Sequence, residues 1–227
     1  MALKERIILF SRWPVVMAFR SGIRRMIRMG LGQRKLDMPV LETERLVLRK
    51  LDQDDLKDIV AWEDVPIPQS ARVQAQEFLD YCFREYRERG IGPWGIQLKE
   101  TRVIVGNCGL PHVIFKSHCG EVNYYVAPRH RGHGLAPEAL MALLKFGFRD
   151  IGLARIQARC ELGNLSSERV MQKAGMRFEG LIEDASPFKS PILKQKLYAI
   201  LAEEFNLSGT GAQDRAINAT PHSDGRS

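Results

Sequence analysis

The feature that most narrows what this chain can become is a six-residue run, Arg129-His130-Arg131-Gly132-His133-Gly134. It stands between a strand-like segment ending near Val126 and a helix-like segment beginning near Ala136. A turn at the start of a helix aims several unpaired backbone N–H groups at one point, and the helix dipole favours an anion there. Glycine at 132 and 134 removes the Cβ atoms that would hold a diphosphate away from those amides. Arg129 and Arg131 add charge-assisted donors, and Pro137 sits where a first helical turn tolerates proline. Taken alone, the run is equally an ordinary tight turn with solvated arginines. Two other phosphate loops are excluded. G-x-x-x-x-G-K-[ST] does not occur, and G-x-G-x-x-G fails because Pro137 falls on its third glycine.

The segments around the loop alternate between strand and helix periodicity. Leu46–Leu51 reads as a strand, and Asp52 is placed to cap a helix running through Trp62. Val65-Pro66-Ile67-Pro68 is a break, after which Ser70 can cap a helix that Gly90 stops. Trp94–Leu98, Val103–Leu110 and Glu121–Val126 read as successive antiparallel strands. A longer helix is expected over about Ala136–Asp150, with Leu140, Leu143, Leu144, Phe146 and Gly147 facing the core. A strand over Arg155–Cys160, a short helix over about Ser166–Ala174 and strands near Phe178–Ile182 and Ile192–Leu201 follow. The fold class this predicts is α/β, with a mixed, mostly antiparallel sheet flanked by helices.

Charge divides the chain of 227 residues. Residues 1–37 hold nine Lys or Arg against Glu5 and Asp37, a net +7, and the remainder holds 25 basic and 25 acidic residues. The basic character therefore belongs to an N-terminal extension, and a neutral body argues against a nucleic-acid partner. Within residues 7–29, Val15, Val16, Phe19, Ile23, Met26 and Ile27 share one helical face, and Arg20, Arg24, Arg25 and Arg28 share the other. That pattern suits a membrane-surface helix or a targeting presequence, and equally a helix packed on the body or a chain that starts at Met38. From Ser208 the sequence is small and polar, as in a disordered tail. The expected division is 1–37 extension, 38–207 folded domain and 208–227 tail. Cys82, Cys108, Cys119 and Cys160 show neither C-x-x-C nor metal-ligand spacing, which points to free thiols in a reducing compartment and to no metal. No apolar run approaches the ~20 residues of a membrane span, so the expected location is cytoplasmic, with membrane contact left to residues 7–29.

Residues 129–134 resemble the R/Q-x-x-G-x-G/A acyl-CoA loop of the GNAT superfamily of N-acetyltransferases. Gly134-Leu135-Ala136-Pro137-Glu138-Ala139-Leu140 resembles the G-x-A-x-E-A-L of its Rim-type branch, which acetylates ribosomal-protein N-termini. Leu41–Arg49 is similar to that branch's opening strand, Glu121–Val126 to its E-I-G-Y-W-L strand, and Asn164–Met176 to N-x-x-S-x-x-V-x-x-K-x-G-F. The resemblance spans about residues 41–205 and implies a sheet splayed between strands 121–126 and 155–160 to admit acetyl-CoA.

It further implies that the pantetheine arm lies alongside the strand containing Tyr124, Tyr125 and Val126, with Tyr125 and Val126 contacting the cofactor, and that a backbone N–H near Val126 meets the thioester oxygen. The diphosphate would lie on Arg129, Arg131, Gly132, His133, Gly134, Leu135 and Ala136, with Asn164 and Ser167 also contacting the cofactor. Many members place a tyrosine seven residues after the asparagine as proton donor to the thiolate. Here Met171 occupies that position, and Ser167 is the implied acid, although it can equally cap a helix. Glu121 is the first candidate base, weighed against a strand charge paired with Lys or Arg, with Glu183 and Tyr198 in reserve. Asn123 stands where the branch has glycine, and 183–191 lacks its usual pattern, which leaves the acceptor open. It is a protein N-terminus or a small amine, and the other class of reading is an acyl-CoA sensor without turnover.

Overall fold

The computed structural model describes residues 36–62, 69–184 and 193–209. Short apolar segments broken by turns form β1 (Leu41–Glu42), β2 (Leu46–Lys50), β3 (Trp94–Leu98), β4 (Ile104–Ile114) and β5 (Cys119–Val126). The later strands are β6 (Arg155–Glu161), β7 (Arg177–Asp184) and β8 (Leu193–Leu201). They make one sheet in the order β1-β2-β3-β4-β5-β6-β8-β7, antiparallel throughout except for β5 beside β6. The helices are α1 (Leu56–Val60), α2 (Gln69–Arg89), α3 (Leu135–Phe146), α4 (Leu165–Lys173) and α5 (Ala202–Gly209).

Because side chains alternate across a strand, the sheet has an apolar layer on each face. Leu46, Leu48, Trp94 and Ile96 from the strands meet Leu140, Leu143 and Leu144 of α3 on one face. Each is essentially fully buried, a gain of roughly 1.5–3 kcal/mol apiece. On the other face Ile59 and Trp62 pack with Phe78, Leu79 and Cys82 of α2 against Leu51 and Ile104. A register shift at Ile96/Gln97 disturbs the β3–β4 ladder. Residues around α1 satisfy the backbone there: Asp58 Oδ2 accepts from Ile104 N at 2.9 Å, and Trp62 Nε1 donates to Ile104 O at 2.9 Å.

The parallel pair β5–β6 is joined for only three residue pairs, Cys119↔Arg155, Gly120↔Ile156 and Glu121↔Gln157. Beyond Glu121 the strands part, and the expected splay is present. Since β5 and β6 are parallel, both run toward the open end, and the N-termini of α3 and α4 lie there. The phosphate-loop end is fastened to the β1–β2 turn through Glu138. Its carboxylate accepts from Thr43 Oγ1 at 2.6 Å, Arg45 N at 2.9 Å and Arg45 Nε at 2.7 Å, and Arg45 Nη1 donates to His133 O at 2.8 Å. Partial burial pushes the Glu138 pKa up, but those donors outweigh it and hold the group below the usual carboxylate range.

Several boundaries differ from expectation for identifiable reasons. Asp52 does cap, in a box with Asp55, but over a short turn (Gln53–Asp55) before α1 ends at Val60. Ser70 lies inside α2, which begins at Gln69. β4 continues through Pro111 because a bulge between Gly109 and His112 spares the ladder bond that proline cannot make. α3 ends in a wider turn, Gly147–Ile151, whose first glycine lets Ile156 approach, since a Cβ there would meet Ile156 Cδ1 at 2.6 Å. Between β8 and the tail expected from 208, where the sequence pattern predicts no element, the chain forms α5, whose Phe205 packs on Phe148 at 5.2 Å between ring centroids. All four cysteines are free, and Cys108 and Cys119, though on neighbouring strands, pair with Tyr124 and Ile114 respectively. The extension (1–35, including the 7–29 helix pattern), the Val65–Pro68 break, the 185–192 stretch and the tail from 210 lie outside the described residues. Among the described residues no helix is long and apolar enough to cross a membrane.

Two consequences are measurable. A Cβ at Gly106 would lie 2.1 Å from the Tyr125 carbonyl oxygen. Gly106→Ala should therefore destabilise the protein by about 1–3 kcal/mol or more in urea unfolding, the cost of overpacking. Glu138 has a depressed folded pKa, so its stabilisation is complete above the unfolded value of about 4.3 and lost as pH falls through the lower folded value. The stability gap between wild type and Glu138→Gln should thus be constant near neutrality and shrink below about pH 4.

Candidate active site

The loop after β5 makes one short turn, Pro128–His130, and enters α3 through two left-handed glycines, Gly132 (φ +84°) and Gly134 (φ +77°), the second capping the helix. A Cβ at Gly132 would meet nothing within 4 Å, so glycine is required there by backbone conformation. At Gly134 the nearest atom is Arg45 Nη2 at 3.4 Å. Successive amides of a left-handed turn running into a helix can form a concave anion site, and residues 132–136 have that backbone form. Arg131 folds back, with its Nε donating to Val126 O at 2.8 Å and its guanidinium 5.5 Å over the Tyr125 ring. It therefore braces the loop as well as charging it. Arg129 lies on the exposed side of the turn, beside His130.

Ala127 N donates to Val105 O across β4, so by alternation the N–H of Val126 faces the opposite side, into the gap beside β6. A main-chain donor so placed can bond a carbonyl oxygen of a ligand lying in the gap. Tyr125 turns to the other face of the sheet, 5.5 Å from Trp62 between ring centroids. Across the gap, Asn164 caps α4: its Oδ1 accepts from Ser167 N at 3.1 Å and from Ser166 Oγ at 2.8 Å. Its oxygen is therefore used by the helix, and the amide N–H₂ is the part suited to a ligand. Ser167 does not cap. Its Oγ lies 2.7 Å from the Tyr124 hydroxyl, which also donates to Ser167 O at 3.0 Å. Met171 is wholly buried in the core.

Glu121 stands at the fork, on the last paired residue before the strands separate. Its Oε2 accepts from Arg159 Nη2 at 2.5 Å, Arg159 Nε at 3.1 Å and Gln157 Nε2 at 3.1 Å. The charge pair weighed in the sequence is present, while the carboxylate keeps an 18% exposed side chain. Its cross-strand neighbour is His112. Burial lowers the His112 pKa, with Glu121 pulling the other way and Arg159 adding to the fall, so the ring is neutral at neutral pH. His112 is the residue sequence reasoning missed. A regular ladder would put Pro111 opposite Glu121, and only the bulge rotates His112 onto the carboxylate's face. Asn123 is accommodated opposite Gly109, where an added Cβ would come within 3.3 Å of Asn123 Oδ1.

The two reserve residues are placed elsewhere. Tyr198 pairs with Ala158, so it projects to the face opposite Glu121, and it donates to Glu168 Oε2 at 2.9 Å in the core. It is a brace on α4. Glu183 is exposed on edge strand β7, 4.0 Å from Lys194 Nζ. Among the described residues no group of three His, Cys, Asp or Glu is arranged to hold a metal.

Comparison with known proteins agrees with this geometry. The chain is 27% identical over 177 residues to the uncharacterised N-acetyltransferase p20 of Bacillus licheniformis, covering 74% of this chain and 99% of that one. A crystal structure of a GNAT-family acetyltransferase from Bacillus anthracis superposes with a TM-score of 0.61 at 28% identity, covering 73% and 99% of the two chains. RimL, a ribosomal L7/L12 α-N-protein acetyltransferase solved with coenzyme A, shares the fold at 15% identity (TM-score 0.59, covering 72% and 98%). With residues 45–177 matching the Acetyltransferase (GNAT) domain, the chain belongs to the GNAT family, whose co-substrate is acetyl-CoA, and is an N-acetyltransferase.

Proposed function

We propose that the protein moves the acetyl group of acetyl-CoA to a primary amine by direct attack, and that the acceptor is a protein N-terminus. The observation that carries the chemistry is the fork between β5 and β6, which has a main-chain donor on one arm, two helix N-termini at its mouth and a polar group at its base. The Rim-type motifs favour a peptide acceptor; the alternative is a small amine such as a polyamine, amino sugar or amino acid.

The roles follow from position. Residues 129–136 hold the diphosphate and the Val126 N–H polarises the thioester carbonyl. Asn164 donates to the pantetheine arm from the α4 side. Glu121, held in place by Arg159 and Gln157, takes the proton of the incoming amine, with the neutral His112 ring beside it as the relay. Ser167 returns a proton to the leaving thiolate. Proton transfers of this kind contribute about 100-fold or more each.

Calorimetry with CoA, followed by CoA release on a panel of N-terminal peptides and small amines, tests the reading. Tight binding with release on peptides is expected. Binding without release on any acceptor would make the protein an acyl-CoA sensor, and no binding would remove the assignment of these residues. On the best acceptor, Glu121→Gln should lower kcat by about 100-fold with little change in the KM for acetyl-CoA. The acidic limb of the kcat/KM profile should fall below the ordinary histidine value of about 6.5, because the relay ring must be neutral and its pKa is depressed. That limb should disappear in His112→Gln, and a limb unchanged by this substitution would exclude the ring.

A further inference from the structure

We propose that Tyr124 is a positioning and proton-relay residue for the departing thiolate, acting through Ser167; the inference rests on the acetyl-transfer reading above. Tyr124 stands on β5 where the strands have parted, and Ser167 lies on α4, which follows β6. Their contact therefore crosses the fork from one arm to the other. The phenol has a single proton and two acceptors within reach, Ser167 Oγ at 2.7 Å and Ser167 O at 3.0 Å. Two arrangements share these positions. In one, the phenol donates to the carbonyl and the serine hydroxyl donates to the phenol oxygen. In the other, the phenol donates to Ser167 Oγ, and the serine proton is turned toward the mouth. Rotation of two O–H bonds interconverts them without moving a heavy atom, and only the second presents a proton to sulfur.

The step balances as follows. When the C–S bond of the tetrahedral adduct breaks, its electron pair passes to sulfur. The Ser167 O–H proton goes to that sulfur, the Tyr124 O–H proton goes to the serine oxygen, and the phenolate is reprotonated from solvent. The amine loses one proton to the acceptor-side base, so the net change is amine plus acetyl thioester giving amide plus thiol. A phenol ionises more readily than an aliphatic hydroxyl, so moving the charge from serine oxygen to Tyr124 lowers the cost that makes serine a poor acid alone. Burial pushes the Tyr124 pKa up to about 12, against the opposing pull of the Ser167 bond and with a small further rise from Cys160. The donor is thus fully protonated at neutral pH. Cys160, on β6 across the gap, is itself pushed up, first by burial and then by Glu168, with Lys196 opposing.

The test needs no acceptor. A hydrogen bond to a thiolate favours the charged form, so CoA bound to the wild-type protein should ionise at lower pH than free CoA, a thiol of ordinary pKa near 8.5. Ultraviolet thiolate absorbance of bound CoA is followed against pH, with the protein alone as baseline, in wild type, Tyr124→Phe and Ser167→Ala. Circular dichroism and CoA calorimetry confirm that each variant is folded and loaded. The expected result is a shift of about ten-fold or more in the ionisation constant in wild type, lost in both variants. In turnover, kcat of Tyr124→Phe should fall about ten-fold or more, with the KM for acetyl-CoA within about two-fold. A wild-type thiol that ionises like free CoA would overturn the relay, and so would a shift that survives Tyr124→Phe. If CoA does not bind the wild-type protein, the acetyl-transfer reading fails and the relay with it; binding with an unshifted thiol removes the relay alone.

Discussion

The molecule is organised around the premature end of the β5–β6 ladder. Three residue pairs hold the strands together, and past Glu121↔Gln157 the main-chain groups on the inner edges no longer pair with each other. Buried N–H and C=O groups without partners are costly, so a fork of this kind persists only where a ligand or side chains complete it. Part of the completion is visible. Arg131 donates to the Val126 carbonyl at the far tip; the Tyr124 side chain bridges the fork to Ser167 on α4 without using those main-chain groups. What is left along the inner edge of β5 is an extended backbone segment, and an acyl-CoA arm with amides of its own is suited to pair with it.

A second constraint follows from placing two helix N-termini at the mouth. Acidic residues in a first turn stabilise the helix through its dipole, and both helices have one, Glu138 in α3 and Glu168 in α4. Left as bare charges they would oppose a diphosphate. Each is instead neutralised from the sheet. Arg45 and Thr43 close on Glu138, while Lys196 Nζ lies 2.8 Å from Glu168 Oε1 and Tyr198 bonds its other oxygen. Those bonds hold Glu168, too, below the usual carboxylate range. The helices keep the benefit of a first-turn carboxylate, and the mouth keeps the positive end of each dipole. The same bonds tie β1–β2 to α3 and β8 to α4, so both helix starts are braced from within the protein.

Much of this was legible in the chain because it rests on local rules. Period-2 and period-3.6 patterns located most of the strands and helices, and Gly90, Gly132, Gly134, Gly152 and Gly175 all take the positive φ that ends or begins an element. The loop was legible for the same reason, since its chemistry lies in consecutive residues. What could not be read depends on register. Whether His112 or Pro111 faces Glu121 is decided by one extra residue in β4, and no periodicity count shows a bulge before the partner strand is known. Tyr198 looked like an acceptor-side residue because its face of the sheet depends on pairing with Ala158, forty residues away along the chain. Helix α5 was hidden behind a compositional signal, since the sequence turns polar just after Phe205, the residue that anchors it.

The buried methionine at 171 gains a physical explanation from the same register. Helix α4 turns that position into the core, among Tyr198, Ile200 and the other apolar residues of the α3 face. A phenol there would need to project its polar end out of a fully enclosed site. Position 124 is better suited to one. It lies on the α3 face at the edge of the fork, where the ring is half-buried and the hydroxyl meets the first turn of α4. Buried tyrosines require a partner for their O–H, and here both partners belong to Ser167 in the first turn of α4. An inward methionine and a phenol on the neighbouring strand are thus two parts of one packing solution. The helix contributes the serine hydroxyl, and the strand contributes the phenol that bonds it across the fork.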